Sequence, residues 1–281
     1  MYRGRTLGSN EIHFIRELIA AHPQASRYAL SRQLCSAWDW KQANGELCDM
    51  VCRGLLLMLA RAGEIELPEA RRAVLPRKPP EPVVPDNRPV CGPLSGIGKI
   101  DIEPVRRTPQ EALFNSLLQQ YHYLGYQQPV GEHLKYLVTA RGQAIACLAW
   151  SSAARHLGCR DRFIGWDAEQ RRRNLPLLAY NTRFLILPWV RVEHLASHLL
   201  GRMAARMARD WERFYAHPVH LLETFVDPQR FRGTCYRAAN WQLLGHTTGR
   251  GKNDLTHRAN RPCKQVLVYP LHRRFRELLT Q

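Results

Sequence analysis

The sequence predicts an α+β protein: an N-terminal winged helix-turn-helix-like helical domain joined to a mixed β-sheet domain flanked by helices. Three observations predict it. Apolar residues recur at helical spacing in three runs before Pro68. A proline-rich stretch, "RRAVLPRKPPEPVVPDNRP", then interrupts all periodicity. Beyond it, short apolar runs with the length of strands alternate with amphipathic helical ones. The expected divisions are residues 1–69 for the helical domain, 70–98 for the linker and 99–281 for the sheet domain.

In the first domain Ile12, Ile15, Leu18 and Ile19 mark one helix. Ser26 is placed to cap a second, Arg27 to Cys35, with Leu30 and Leu34 inward. A turn with two tryptophans, "SAWDWKQANG", leads to a third helix from about Glu46, whose apolar face carries Leu47, Val51, Leu55, Leu56 and Leu59. "EIELP" after Gly63 is expected as a short strand, or wing. A winged helix-turn-helix presents its third helix to the DNA major groove. That face here would carry Lys41, Gln42, Asn44, Glu46, Asp49 and Arg53, a mixed set in which the acids work against tight phosphate contact. Three-helix units also serve as protein–protein modules, and both readings stay open.

The linker cannot continue a helix or join a ladder and is expected to be an extended spacer. A strand is expected around Lys99–Ile102. Thr108 is placed to cap a helix from Pro109 to about Tyr121. Two strands, Lys135–Ala140 and Gln143–Trp150, flank the tight turn Arg141-Gly142. "DAEQRRRNLPLLAYNTRF" is a polar, basic helix or loop, and "RFLILPW" reads as a buried strand. A long helix, about Val192–Tyr215, follows. Leu195, Ala196, Leu199, Leu200, Met203, Met207, Trp211 and Phe214 form its apolar stripe, with Arg202, Arg206, Arg209 and Arg213 opposite. A strand at Leu221–Val226, a short helix carrying Tyr236 and Arg237, a last strand in "CKQVLVYPL" and a basic terminal helix complete the chain.

The formal net charge of the 281 residues is +17, with a pI near 10.0. An excess of this size favours a polyanionic partner, chiefly DNA phosphates. No apolar run approaches the length of a membrane span, and the N-terminus lacks the apolar centre of a secretory signal. A cytoplasmic protein with no membrane partner is therefore expected. The eight cysteines form no CxxC pair, which argues against a zinc ribbon. Cys235, beside Tyr236, has no paired base nearby in sequence and reads as structural.

Chemistry concentrates in Leu221–Gly251. From Pro228 to Gln281 there are 11 Lys and Arg against the two acids Asp254 and Glu277. Arg230, Arg232, Arg237, Arg250, Lys252, Arg258, Arg261 and Lys264 are the expected DNA contacts there, joined by Lys41, Asn44 and Arg53 of the first domain. His246 and His257 are expected as phosphate contacts or surface residues. Glu223 and Asp227, four apart on a strand and so on one face, could with Asp161 hold Mg²⁺ or Mn²⁺, hard cations that take carboxylate oxygens. Tyr236, flanked by arginines, is a candidate nucleophile on phosphate. Arg183 is the expected partner of Glu223 and completes the candidate catalytic set of Glu223, Asp227, Tyr236, Asp161 and Arg183. The competing reading is an acid–arginine lattice that holds loops, with Asp227 capping the turn after its strand.

The order helix, hairpin, loop, strand, long helix, strand, short helix, strand resembles the core of GNAT acyltransferases. "LPWVRVEHLASHLL" stands where those proteins carry a glycine-rich pyrophosphate loop and a helix, and "YRAANWQLLG" where they carry a tyrosine, the usual general acid. Tyr236 matches that tyrosine and Arg191 the loop arginine. Val192, His194 and Ala196 replace the loop glycines and crowd the backbone approach to a pyrophosphate, which argues against acetyl-CoA. A second resemblance covers most of the chain. "HYLGY", "LAWSSAARHL", "RDRFIGW", "NTRFLILPWV", "ETFVD", "RGTCYRAANW" and "LGHTTGRG" resemble the DruA family of the Druantia anti-phage system, with relatives beside mobile elements. That resemblance implies a role on DNA in phage defence or transposition, with other defence or transposon proteins as partners.

Three functions follow as expectations: a metal-dependent DNA nickase, endonuclease or transposase-like enzyme; a non-catalytic DNA-recognition subunit of a defence complex; and an acyltransferase with a degraded CoA loop.

Overall fold

The computed structural model describes residues 7–41, 47–69, 79–250 and 259–281. The chain divides into two units, Met1–Lys78 and Pro79–Gln281.

The first unit holds three helices, α1 (Ser9–Ala21), α2 (Arg27–Ala37) and α3 (Asp49–Arg61). Glu11 accepts from the Gly8 amide at 2.7 Å and Ser26 Oγ from the Ala29 amide at 3.1 Å, so two helix starts are satisfied locally. Ile15, Leu34, Cys35, Cys52, Leu55, Leu56 and Leu59 close a common core. The expected wing does not form: Glu64–Pro68 has no strand. Its carbonyls are taken by arginines instead. Arg16 Nε donates to Glu64 O at 2.7 Å and Arg27 Nε to Pro68 O at 2.8 Å, while Ile65 is drawn into the helical core. A strand needs a neighbouring ladder, and here side chains have replaced it. The third helix starts at Asp49, later than its apolar run suggests.

The second unit is built on a seven-stranded mixed sheet. Its strands are β2 (Ile100–Pro104), β3 (His133–Ala140), β4 (Gln143–Ser152), β5 (Leu178–Ile186), β7 (Leu221–Val226), β8 (Gln242–His246) and β9 (Gln265–Pro270). The spatial order is β2-β3-β4-β5-β7-β9-β8. All neighbours run antiparallel except the central pair β5–β7. The short β1 (Val90–Gly92) and β6 (Val190–Val192) pair separately and in parallel. The helices are α4 (Glu111–Tyr121), α5 (Gly158–Ile164), α6 (Ala168–Asn174), α7 (Leu195–Tyr215), α8 (Thr234–Ala238) and α9 (Phe275–Thr280). This is a mixed α+β fold, one large sheet flanked by helices on both faces.

Strand alternation distributes the helices over two faces. On β3, Lys135 reaches Glu111 of α4 while its neighbour Tyr136 reaches Asp210 of α7. On β7, Leu222 joins the large core under α7, and Leu221 joins Phe275 and Leu279 of α9 in a smaller one. Most of the stripe of α7 read from the sequence is buried, from Leu195 to Trp211, but Ala196 is only half-buried and Phe214, in the last turn, is exposed.

Several boundaries differ for identifiable reasons. Thr108 does not cap α4: its hydroxyl donates to Val105 O, and the helix begins at Glu111. The long helix starts at Leu195 because Val190–Val192 pairs with β1 and His194 adopts a left-handed conformation, φ 59°. Residues 79–98, inside the stretch read as linker, are tied to the sheet unit. Val83 N donates to Ser116 Oγ at 2.8 Å, and Gln143 Nε2 donates to Asp86 O and Arg88 O. β5 begins five residues before the "RFLILPW" run and is only half-buried beyond Asn181. Helix α5 and strand β8 have no counterpart in the sequence reading.

Candidate functional site

The parallel pair β5–β7 is short. Leu178 to Asn181 pair with Leu221 to Thr224, and there the ladder stops. Beyond that point β5 stays with β4, where Phe184 faces Leu148, and β7 stays with β9, where Val226 faces Gln265. The two strands part and leave a wedge. A bulge at Thr182 marks the fork: Asn181 pairs with Trp150 and Arg183 with Ala149, so Thr182 is the extra residue. Bulges of this kind re-aim side chains beside sites. Both Asn181 Nδ2 and Thr182 Oγ1 donate to Ala149 O, at 3.0 and 3.2 Å, which satisfies the carbonyl the bulge exposes.

The wedge holds a cavity of about 210 Å³. β5 contributes Tyr180, Thr182 and Phe184, and β7 contributes Phe225, Val226 and Asp227 at its end. Helix α8 supplies Tyr236, and the loops supply Tyr123, Phe231, Arg232 and Lys264. Tyr236 lines the cavity but is largely buried. Its hydroxyl donates to Asn181 Oδ1 at 2.6 Å, and Thr224 Oγ1, which donates to Asn181 O, lies 3.5 Å away. Burial pushes the Tyr236 phenol well above its ordinary range, so it is neutral at every physiological pH. Its neighbour Cys235 is likewise raised by burial. On the loop, burial and the Arg183 charge lower the His122 imidazole to about 4, so it too is uncharged at neutral pH.

The candidate residues do not gather at one point. Glu223 and Thr224 are adjacent on β7 and face opposite sides of the sheet. Tyr236 packs on the Thr224 side. Glu223 is completely buried on the other, where its expected partner Arg183 is not present. Arg160 of α5 takes that place, donating to Glu223 Oε2 at 3.0 Å, while the Ala154 amide fills Oε1 at 2.9 Å. The same guanidinium donates twice to Asp161 Oδ1, at 2.8 and 3.0 Å, and Arg171 lies 3.4 Å from Oδ2. Asp161 and Glu223 are thus joined through an arginine. Burial pushes the Glu223 carboxyl up, against the opposing pull of Arg160. Arg183 donates to Gly125 O at 3.1 Å and to Thr182 O at 2.8 Å, bracing the fork.

Asp227 lies beyond the end of β7, at the wedge mouth. It accepts from the Gln229 amide at 3.0 Å, capping the turn, and Arg230 Nε lies 3.9 Å away. Among the described residues no group of three or more His, Cys, Asp or Glu is arranged to hold a metal ion.

Of the expected DNA contacts, Arg232 and Lys264 line the cavity and Arg230 stands beside it. Arg237 spans Arg232 O and Gln265 Oε1 and stiffens the loop below them. Arg250 and Arg261 are exposed around Gly249, and His246 is exposed on β8. Lys252, Arg258 and His257 lie outside the described residues, as do Gln42, Asn44 and Glu46. In the first unit Lys41 pairs with Asp39 at 2.5 Å. Arg53 pairs with Asp49 at 3.1 Å and stands over the Tyr28 ring.

The sequence reading missed Asn181 and Arg160. An asparagine inside a strand is disfavoured, and that was the one available signal for Asn181. Nothing local marks Arg160 apart from neighbouring arginines.

The family described as "Druantia protein DruA" matches residues 93–260. The chain belongs to that family. The matched segment contains β5, β7, α8 and the Arg160 cluster, and ends before Lys264 and β9. A comparison with curated proteins gives no match. Among solved structures the chain is similar to the ribosomal-protein-S18-alanine N-acetyltransferase from Escherichia coli, at 10% identity, TM-score 0.37, covering 62% of this chain and 94% of that one. It is also similar to AAC(6')-Ib in complex with ribostamycin and coenzyme A, at 14% identity, TM-score 0.40, covering 64% and 96%. A polyamine N-acetyltransferase of Drosophila melanogaster stands at 12% identity, TM-score 0.37, covering 61% and 100%. No activity follows from likenesses of this size. No helix among the described residues is long and apolar enough to cross a membrane.

Proposed function

We propose that this chain is a DNA-binding component of a Druantia-type anti-phage defence system or a related mobile element, and that it grips DNA at the mouth of the β5–β7 wedge. The observation that carries this reading is the placement of Arg230, Arg232 and Lys264 around one cavity, with Arg250 and Arg261 exposed on the same basic segment. A net charge of +17 supports it. Family membership supports the defence context, in which other components of the system are partners. The test is binding of labelled DNA across a salt series. A steep loss of affinity with salt is expected, and a shallow slope, or binding unchanged in Arg230→Ala/Arg232→Ala/Lys264→Ala, rejects the surface.

A second reading, strand cleavage, is favoured by one observation: Tyr236 and Asp227 line the same cavity as Arg232 and Lys264. Tyr236 would attack phosphorus only after surrendering its proton and its bond to Asn181. Of the three acids Asp227 is the one at the cavity, and so the one to meet a Mg²⁺ or Mn²⁺ arriving with DNA. Incubation with supercoiled and single-stranded DNA plus either ion tests it. Cleavage that survives Asp227→Asn and Tyr236→Phe, or no cleavage at all, removes it.

For acyl transfer the supporting geometry is weaker. Of the segment matching the pyrophosphate loop, Arg191 to Ala196, the first two residues are paired with β1, which engages their backbone. A thermal shift with acetyl-CoA is the corresponding check.

A further inference from the structure

The mouth of the wedge carries two exposed aromatic rings. Tyr123 is 39% exposed and Phe231 is 50% exposed. They come from distant segments, the loop after α4 and the loop after β7, yet their centroids lie 5.3 Å apart at 59°. The Arg230 guanidinium stands 5.2 Å over the Tyr123 ring, which holds the pair in place with a cation at its edge. Exposed single aromatics are ordinary, but two rings meeting at the rim of a cavity with three cations around them form a defined surface. Tyr180 and Phe225, which also line the cavity, form a second aromatic pair, 4.8 Å between centroids.

The cavity is small and open to solvent on one side. At about 210 Å³ it falls below the roughly 300–1,000 Å³ of sites that enclose drug-sized molecules. One planar ring system fits its size. Aromatic rims next to cations are what successive bases and their phosphates use in single strands. A base inside a duplex cannot enter such a site unless it leaves the stack.

We propose that the β5–β7 wedge takes one unstacked base of single-stranded DNA, with Tyr123 and Phe231 as stacking faces and Arg230, Arg232 and Lys264 on the flanking phosphates. This rests on the DNA-binding reading above and names the form of DNA the site accepts.

The test compares a single-stranded oligonucleotide carrying 2-aminopurine with its duplex, using the full chain at low salt. Single strands are expected to bind more tightly than duplex, with a change in 2-aminopurine emission on binding. Tyr123→Ala/Phe231→Ala should lose about tenfold or more of the single-strand affinity, within the range of base–aromatic stacking. Tyr123→Phe and Phe231→Tyr, which keep the rings, should retain it. Single-strand affinity unaffected by removal of both rings overturns the base site and leaves DNA binding standing. So does saturable binding by the unaltered protein with no change in emission, a readout that needs no variant to fold. Failure to bind either form of DNA overturns both proposals.

Discussion

The Tyr236 hydroxyl lies 2.6 Å from Asn181 Oδ1, and this one bond joins helix α8 to the strand at the point where the sheet forks. Asn181 also donates to Ala149 O and accepts from Thr224 through its own carbonyl, so one side chain and its backbone tie β4, β5, β7 and α8 together. A hydroxyl that the acyltransferase resemblance implies as a general acid is, in this protein, a buried donor to Asn181.

Tyr236→Phe should therefore destabilise the sheet unit. It leaves Asn181 Oδ1 buried and deprived of its phenolic donor, which costs about 1–3 kcal/mol. Urea unfolding checks it. Asn181→Leu removes the orphaned acceptor in the double variant, so the two losses should be less than additive.

The Arg160 cluster should be more sensitive than the wedge. Its guanidinium is fully buried and faces two carboxylates. Arg160→Met leaves Glu223 and Asp161 uncompensated and should cost about 3–5 kcal/mol. Glu223→Gln should cost less, because the amide keeps hydrogen-bonding capacity toward Ala154 and Arg160 and removes a buried charge. Thermal unfolding of the two variants side by side reads the difference. If Glu223→Gln proves the more harmful, the carboxylate has a role beyond holding α5.

His122 gives a pH dependence with a defined sign. Its folded-state value is depressed, to about 4 from an ordinary 6.5, by burial and by Arg183. The unfolded chain therefore binds a proton that the folded chain refuses between those values. On this group's account stability is intact above about 6.5 and falls as pH drops toward 4. Unfolding midpoints for the unaltered protein and His122→Asn should diverge in that window, with the variant losing less. Equal slopes would show that His122 is more solvated than its position at the wedge implies.

Charge removal at the wedge mouth should lower the salt slope of DNA binding. Each of Arg230, Arg232 and Lys264 that neutralises a phosphate contributes about 0.7–0.9 to the slope of log affinity against log salt. Arg237→Ala is different: with Arg232 O and Gln265 as its partners, its loss should loosen the loop and leave the slope nearly unchanged. A filter-binding series at several salt concentrations separates the two classes.

Gly249 predicts a local defect. Its φ is +69°, and an added Cβ would stand 2.7 Å from the Arg261 carbonyl oxygen. Gly249→Ala should push apart the segments carrying Arg250 and Arg261 and weaken DNA binding, while the unfolding midpoint of the sheet changes little. Unchanged affinity would place those two arginines outside the contact surface.

By itself the sequence determined the elements whose signals are local. The run Leu221–Val226 is a strand to the residue, the Arg141-Gly142 turn joins the hairpin, and the apolar stripe of α7 faces the core from Leu195 to Trp211. Each rests on periodicity or turn chemistry within a few residues. The basic character of the last segment was legible in the same way. What the tertiary structure alone decided is which charged and polar groups meet. Alternation along β7 separates Glu223 from Thr224, but only the packing of α5 against one face and α8 against the other puts Arg160 beside the acid and Asn181 beside Tyr236. The end of the β5–β7 ladder at Thr224 was equally invisible, because a strand's sequence does not record where its neighbour leaves it. Those partners lie 63 and 55 residues away in the chain, and long-range pairing of polar groups leaves no periodic trace for a sequence to show.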